Sequence, residues 1–218
     1  VEADQHSLAR LGHGNALAQA YHHAIMPLAN DRDKRTEVVW GAADFAHRLG
    51  RRPDGMWLPE TAVDTATLEV LAEEGVAFVI LAPRQAAAVR GPDAKSWITV
   101  DEHRIDSSRP YRVDLPSGRS IAAFFYDHEP ANGVAFGGWL DNGETMAHRL
   151  MGLDREFVHF ATDGESYGHH HRYGEMALAF CVRTLLERDD VEVTMTYEAL
   201  PDIPEVDLEG MHQDLADS

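Results

Sequence analysis

"MWLPETAVDTATLEVLAEEGVAFVILA", residues 56–82, decides the fold class. Its opening "MWL" is a short apolar run that stops at Pro59 and Glu60, which predicts a buried strand running into a loop. Asp64 then stands as N-cap to a helix with Leu68, Leu71 and Ala72 on its apolar face and Gly75 as its stop. "VAFVILA" (76–82) follows, apolar throughout. A strand covered on one face alternates apolar and polar residues, whereas a strand covered on both reads as a continuous apolar run. Strand, helix and continuous strand in succession therefore predict a parallel sheet covered by helices, and the chain reads as α/β.

The same punctuation extends in both directions. Upstream, "RTEVVWGAADFAHRLG" (35–50) predicts a helix with Val38, Val39, Ala42, Phe45, Ala46 and Leu49 facing inward and Gly50 ending it. "NALAQAYHHAIMPLA" (15–29) has apolar residues near helical spacing, with Pro27 placed to stop or kink a helix. Downstream, "YRVDLPSGRSIAAFFYD" (111–127) is two β-rich runs around "PSG", a hairpin inserted into the α/β alternation. "NGETMAHRLMG" (142–152) predicts a helix, "FVHFATD" (157–163) a buried strand and "EMALAFCVRTLLER" (175–188) a long apolar helix. One domain is expected over residues 1–201, followed by an acidic, proline-spaced and flexible tail over 202–218.

The 218 residues are 44% apolar, enough for a sizeable core. Nineteen basic residues against thirty-seven acidic ones give a net charge of −18, which repels phosphate backbones and anionic lipid head groups. Nucleic acid and membrane partners are therefore not expected, and no stretch approaches the roughly 20 apolar residues of a membrane span. The single cysteine, Cys181 in "MALAFCV", allows no internal disulfide and reads as a small buried hydrophobe. That suits a reducing compartment, and a cytoplasmic location is the expectation. No "GxGxxG", P-loop or "GxSxG" elbow is present, so neither nucleotide binding nor a serine nucleophile has support.

Parallel α/β folds place their chemistry at the C-terminal ends of the strands. Glu60 closes "MWLPE" and Asp163 closes "FVHFATD", so two carboxylates stand at such ends. Two facing carboxylates can cleave a glycosidic bond, one protonating the leaving oxygen while the other attacks the anomeric carbon or activates water. Taken singly, an acidic residue in a loop is more often solvated or caps a helix. Trp57 and Tyr167, close in sequence to the two acids, could stack on sugar rings, although each is more often simply core. Strand alternation would put Phe157, His159, Ala161 and Asp163 on one face. Asp127 closes a third run, "IAAFFYD", as a substrate-binding candidate, and Glu165 could either bond substrate or cap the following helix.

Thirteen histidines raise the question of a metal, most sharply at "HHH" (169–171). Adjacent side chains diverge by about 100° on a helix and oppose one another on a strand, so at most two of the three could reach one ion. Asp163, His169 or His171, and His23 could be drawn around a metal, but their spacing matches no recognised motif. No cofactor is expected, and satisfied or solvated histidines are the simpler reading.

"GRRPDGMWLPETAVD" (50–64) and "ATDGESYGHHH" (161–171) resemble two signature segments of glycoside hydrolase family 57, retaining enzymes of α-glucans. "AYHHAIMPLA" (20–29) looks like a third family segment, and "FFYDHEPANGVAF" (124–136) resembles a region with an aspartate before a helix. More narrowly, the chain resembles an uncharacterised branch whose members carry an additional domain of unknown function. The resemblance implies an incomplete (β/α)7 barrel, with Glu60 as nucleophile, Asp163 as general acid/base, His23 lining the sugar site and His169 near the acid/base. It implies an α-glucan or maltooligosaccharide substrate, and the site is expected to hold no metal. The family's first segment, a strand ending in a histidine beside glutamine and proline, has no counterpart in "VEADQHSLARLG". Its last segment is also missing, and Asn15 stands where many members carry glutamate. A partial catalytic domain is therefore expected. A retaining mechanism would require the two carboxyl groups about 5–5.5 Å apart. Two alternatives stay open, a metal-dependent polysaccharide deacetylase and a non-catalytic carbohydrate-binding remnant. The sequence is silent on oligomeric state.

Overall fold

Asn30 accepts a hydrogen bond from the Asp33 amide and so starts the long second helix of the chain, which Gly50, at φ 74°, ends in a left-handed cap. The computed structural model describes residues 1–91, 93–155 and 157–193, and the backbone alone of 205–207. The chain divides into two compact units, residues 1–125 with 199–218, and residues 126–198.

The first unit runs α1 (Glu2–Leu11), β1 (Ala18–Gln19), α2 (Asp31–Leu49), β2 (Gly55–Trp57), α3 (Thr65–Glu73), β3 (Phe78–Leu81), β4 (Ala88–Arg90), β5 (Ile98–Thr99), β6 (Tyr111–Asp114) and β7 (Ser120–Phe125). A final strand, β8 (Glu205–Asp207), belongs to it as well. These strands form one sheet in the order β1-β2-β3-β7-β6-β8-β4-β5. β1, β2, β3 and β7 are mutually parallel, with Ala18 beside Met56, Met56 beside Val79 and Val79 beside Ala123. The α/β reading is borne out, and all four residues of β3 are buried, as a strand covered on both faces requires. Burying Val79, Leu81, Phe124 and Phe125 in full stabilises the sheet by about 1.5–3 kcal/mol per side chain. The hairpin at 111–125 is present, and its second strand is the parallel neighbour of β3, so it extends the sheet.

Two sequence expectations in this unit need correction. Residues 15–29 do not form a helix: Ala18 and Gln19 pair with β2, and Met26–Leu28 make a single tight turn containing Pro27. Ala18 and Ala20 are buried while Gln19 is exposed, the two-residue period of a strand, which the near-helical spacing masks. On α2 the buried stripe is Lys34, Glu37, Val38, Gly41 and Phe45, whereas Val39 is 38% exposed. The helix is thus rotated from its most apolar orientation because two buried charges have partners. Lys34 Nζ lies 2.9 Å from Asp64 Oδ2, on the residue that caps α3.

The second unit contains α4 (His128–Ala135), α5 (Gly143–Met151) and α6 (Gly174–Leu186). α5 and α6 lie where the sequence places them, and Asn142 caps α5. Their core is Val134, Trp139, Leu140, Met146, Ala147, Ala177 and Cys181. Burial pushes the Cys181 thiol pKa up, in keeping with its reading as a hydrophobe. Residues 157–163 are not a strand. A strand needs a ladder, and among the described residues this segment has none, although its His159 carbonyl accepts from the Asp127 amide at 2.7 Å. Phe157, Val158 and Phe160 instead line a cavity of about 460 Å³ with Met146, Leu178 and Cys181. The backbone still alternates locally, since the Phe157 and His159 rings stack at 5.1 Å.

Among the described residues no helix is long and apolar enough to cross a membrane. Of the expected tail at 202–218, only the backbone of β8 is described; the remainder lies outside the described residues.

Candidate active site

β1 and β2 are adjacent and parallel, so the segments leaving their C-terminal ends emerge on the same side of the sheet. The first carries Tyr21, His22 and His23; the second turns over Pro59, Glu60 and Thr61. His23 Nε2 lies 3.0 Å from Glu60 Oε1, and both side chains are open to solvent, at 69% and 71% exposure. An exposed ion pair has little net strength. The backbone must therefore hold this arrangement.

At the turn, Glu60 and Thr61 both adopt left-handed conformations, at φ 55° and 56°. Positive φ in a β-branched residue such as Thr61 is a true outlier, and each such residue costs of order 1–3 kcal/mol. Compensation is visible. The Thr61 amide donates to the Leu58 carbonyl at 2.9 Å and the Ala62 amide to the Pro59 carbonyl at 3.0 Å. Gln85, in the loop after β3, donates from Nε2 to the Thr61 carbonyl at 2.5 Å while its Oε1 accepts from the Ala82 amide at 2.7 Å. The glutamate is presented by a strained turn braced from the neighbouring loop. Trp57, the last residue of β2, is half-buried.

In the second unit Asp163 is exposed and caps the turn Gly164–Ser166, accepting from the Glu165 amide at 3.2 Å. Tyr167 pairs its hydroxyl with Thr162 Oγ1 at 2.7 Å. Glu165 Oε2 lies 3.4 Å from His170 Nε2, and the His170 amide donates to the Glu165 carbonyl at 2.9 Å. His171 Nε2 donates to the Ala135 carbonyl at 2.9 Å. His169 is exposed, with its ring edge-on to His170 at 5.0 Å. The three histidines thus point to different partners, and among the described residues no three His, Cys, Asp or Glu side chains converge as a metal set would.

Asp127 is 3% exposed. Its carboxylate accepts from the Glu129 amide as the cap of α4 and pairs with Arg155. That engagement orders the start of α4. The sequence reading missed Glu37 and Gln85, which brace the loops at the strand ends. Neither carries a local signal in the sequence, because the segments they brace lie 15 and 24 residues away.

The model of Glycosyl hydrolase family 57 matches residues 5–212. No curated protein matches the chain. Among solved structures it is similar to a 4-α-glucanotransferase from Thermococcus litoralis, at 17% identity and a TM-score of 0.64, over 93% of this chain and 30% of that one. A branching enzyme of the same family from Thermococcus kodakaraensis, solved with glucose and additives, gives 17% identity and a TM-score of 0.67, over 89% of this chain and 48% of that one. A proposed polysaccharide deacetylase from Mycobacterium smegmatis gives 15% and 0.57, over 88% and 63%. At such identities the likeness is one of fold. The chain spans 30–63% of the length of these proteins.

Proposed function

Because the chain belongs to glycosyl hydrolase family 57, we propose that it carries the catalytic machinery of a retaining α-glucan hydrolase or transglycosylase, with Glu60 as nucleophile and Asp163 as general acid/base. The observation that carries this reading is the 3.0 Å contact of His23 with Glu60 on a strained turn at the end of β2. Backbone strain concentrated at an acidic residue and its neighbour, Glu60 and Thr61, at a strand end is the usual mark of a segment held for function. An imidazole N–H donated to Oε1 orients the carboxylate and leaves Oε2 free to attack.

In the proposed first step Glu60 bonds to the anomeric carbon as the glycosidic bond breaks, and Asp163 gives its proton to the departing oxygen. In the second, Asp163 takes a proton from water or from a sugar hydroxyl, whose oxygen displaces Glu60. Water gives hydrolysis, and a sugar gives transfer or branching. Trp57 and Tyr167 are proposed to stack on sugar rings, and Glu165 and His169 to bond sugar hydroxyls. For Asp127 a substrate contact would have to arise without disturbing its cap and its Arg155 pair. The cytoplasm remains the proposed location.

The natural protein incubated with a maltooligosaccharide series should yield shortened, lengthened or branched products. Glu60→Gln should lower turnover on the order of a thousandfold or more. Unchanged turnover would refute the nucleophile assignment. Metal-dependent acetate release from an acetylated polysaccharide would replace the reading by deacetylation, and glucan binding without turnover would replace it by a binding role.

A further inference from the structure

His23 is exposed, and so is the carboxylate it meets, yet the segment carrying it is gripped from below. Glu37, Trp40 and Gly41 stand three and four residues apart and so share one face of α2. Gly41 lets the helix touch the β1 segment: a Cβ there would stand 2.0 Å from the Gln19 carbonyl oxygen and 3.2 Å from the Tyr21 nitrogen. Trp40 packs edge-on against Tyr21 at 5.4 Å. Glu37 makes the polar contacts. Its backbone carbonyl accepts from the Tyr21 amide at 3.2 Å. Its carboxylate takes the His22 amide on Oε2 at 2.7 Å and His22 Nδ1 on Oε1 at 2.8 Å.

Glu37 is 9% exposed. A carboxylate loses much of its hydration at such a position and stays only where hydrogen bonds replace it. Both of its replacements come from one residue, His22, at backbone and ring together. Two bonds of that kind fix the position and the rotation of the residue next to His23. We propose that Glu37 is a positioning residue: from α2 it clamps His22 and thereby sets where His23 meets the Glu60 carboxylate.

This proposal rests on the assignment of Glu60 as nucleophile for its catalytic consequence, but its geometry can be read without turnover. The ring ¹⁵N signals of His23 in the 218-residue chain report whether Nε2 is hydrogen-bonded. Glu37→Ala should shift them toward their values in Glu60→Ala, which has no acceptor for Nε2, whereas Glu37→Gln, whose side-chain amide can accept from the His22 amide and donate to the His22 ring, should keep most of the native signal. In the natural protein Glu37→Ala should lower kcat about tenfold or more with KM nearly unchanged, since misplacing a group by about 1 Å is enough for such losses. Glu37→Gln should restore most of it. If Glu37→Ala does not fold, His22→Phe removes the ring bond while keeping an aromatic beside Tyr21 and should produce the same shift. Native His23 signals in folded Glu37→Ala or His22→Phe would overturn the proposal. Turnover retained by Glu60→Gln, with the His23 shifts as expected, would overturn the nucleophile assignment and leave the positioning geometry supported.

Discussion

Asp4, on α1, is 3% exposed and meets Arg51, 47 residues later, through two bonds, Nη2 to Oδ1 at 2.8 Å and Nε to Oδ2 at 2.9 Å. The Ala16 amide adds a third at 2.9 Å. The Arg51 guanidinium above all, helped by that amide, holds the Asp4 pKa down at about 2, against 3.8 for a free side chain. A carboxyl whose pKa is depressed on folding contributes stability above its unfolded pKa and loses it as pH falls through the folded one. The window is therefore pH 4 down to 2, and the contribution is about 2 kcal/mol. In urea titrations Asp4→Asn should be less stable than the native chain by at least that amount near pH ~7, with the gap closing below pH ~4. A gap independent of pH would mean that Asp4 acts through packing alone. Glu60 shows the opposite use of an acidic residue, exposed and held by backbone.

Among elements, α2 does the most to connect packing with the candidate site, and Gly41 is its narrowest point. Alanine normally favours a helix interior over glycine by about 1 kcal/mol. Here its methyl would stand 2.0 Å from a backbone oxygen of β1, where no side chain can rotate aside. Gly41→Ala should therefore lower stability by about 1–3 kcal/mol as an overpacked contact, read from the urea midpoint, and a raised midpoint would refute the close approach. The elements legible in the sequence were those with local punctuation: α2 by Gly50, α3 by Asp64, α5 at Asn142, β3 by its unbroken apolar run. Those misread depend on distant partners. β1 is a strand because β2 lies beside it, and 157–163 is not one because it has no ladder among the described residues. Glu60 was legible as a site candidate from its strand-end position and His23 through the motif resemblance, but their contact across 37 residues was not. The buried Glu37 was hidden for the same reason, since its partner lies 15 residues upstream in a loop.

At the scale of the whole molecule, a charge of −18 on 218 residues repels polyanions. It also has a thermodynamic consequence. Ion pairs such as Arg35 with Glu73, Arg48 with Asp44 and Arg188 with Asp190 are exposed and individually weak. Thirty-seven acidic residues against nineteen basic ones leave an excess of eighteen negative charges. Self-repulsion of that kind opposes the compact state and is screened by salt, the Debye length falling from about 30 Å at 0.01 M to about 3 Å at 1 M. The better-buried pairs, Asp4 with Arg51 and Lys34 with Asp64, are screened far less. Salt should therefore remove more repulsion than attraction, and Tm should rise steadily with added sodium chloride at neutral pH, equally with potassium chloride. A Tm that fell with salt would mean that the exposed pairs act as a network whose attraction exceeds the net repulsion. Reversing the charge of exposed acids that have no cationic neighbour would then fail to stabilise the chain, whereas repulsion predicts a gain at low salt that fades at high salt.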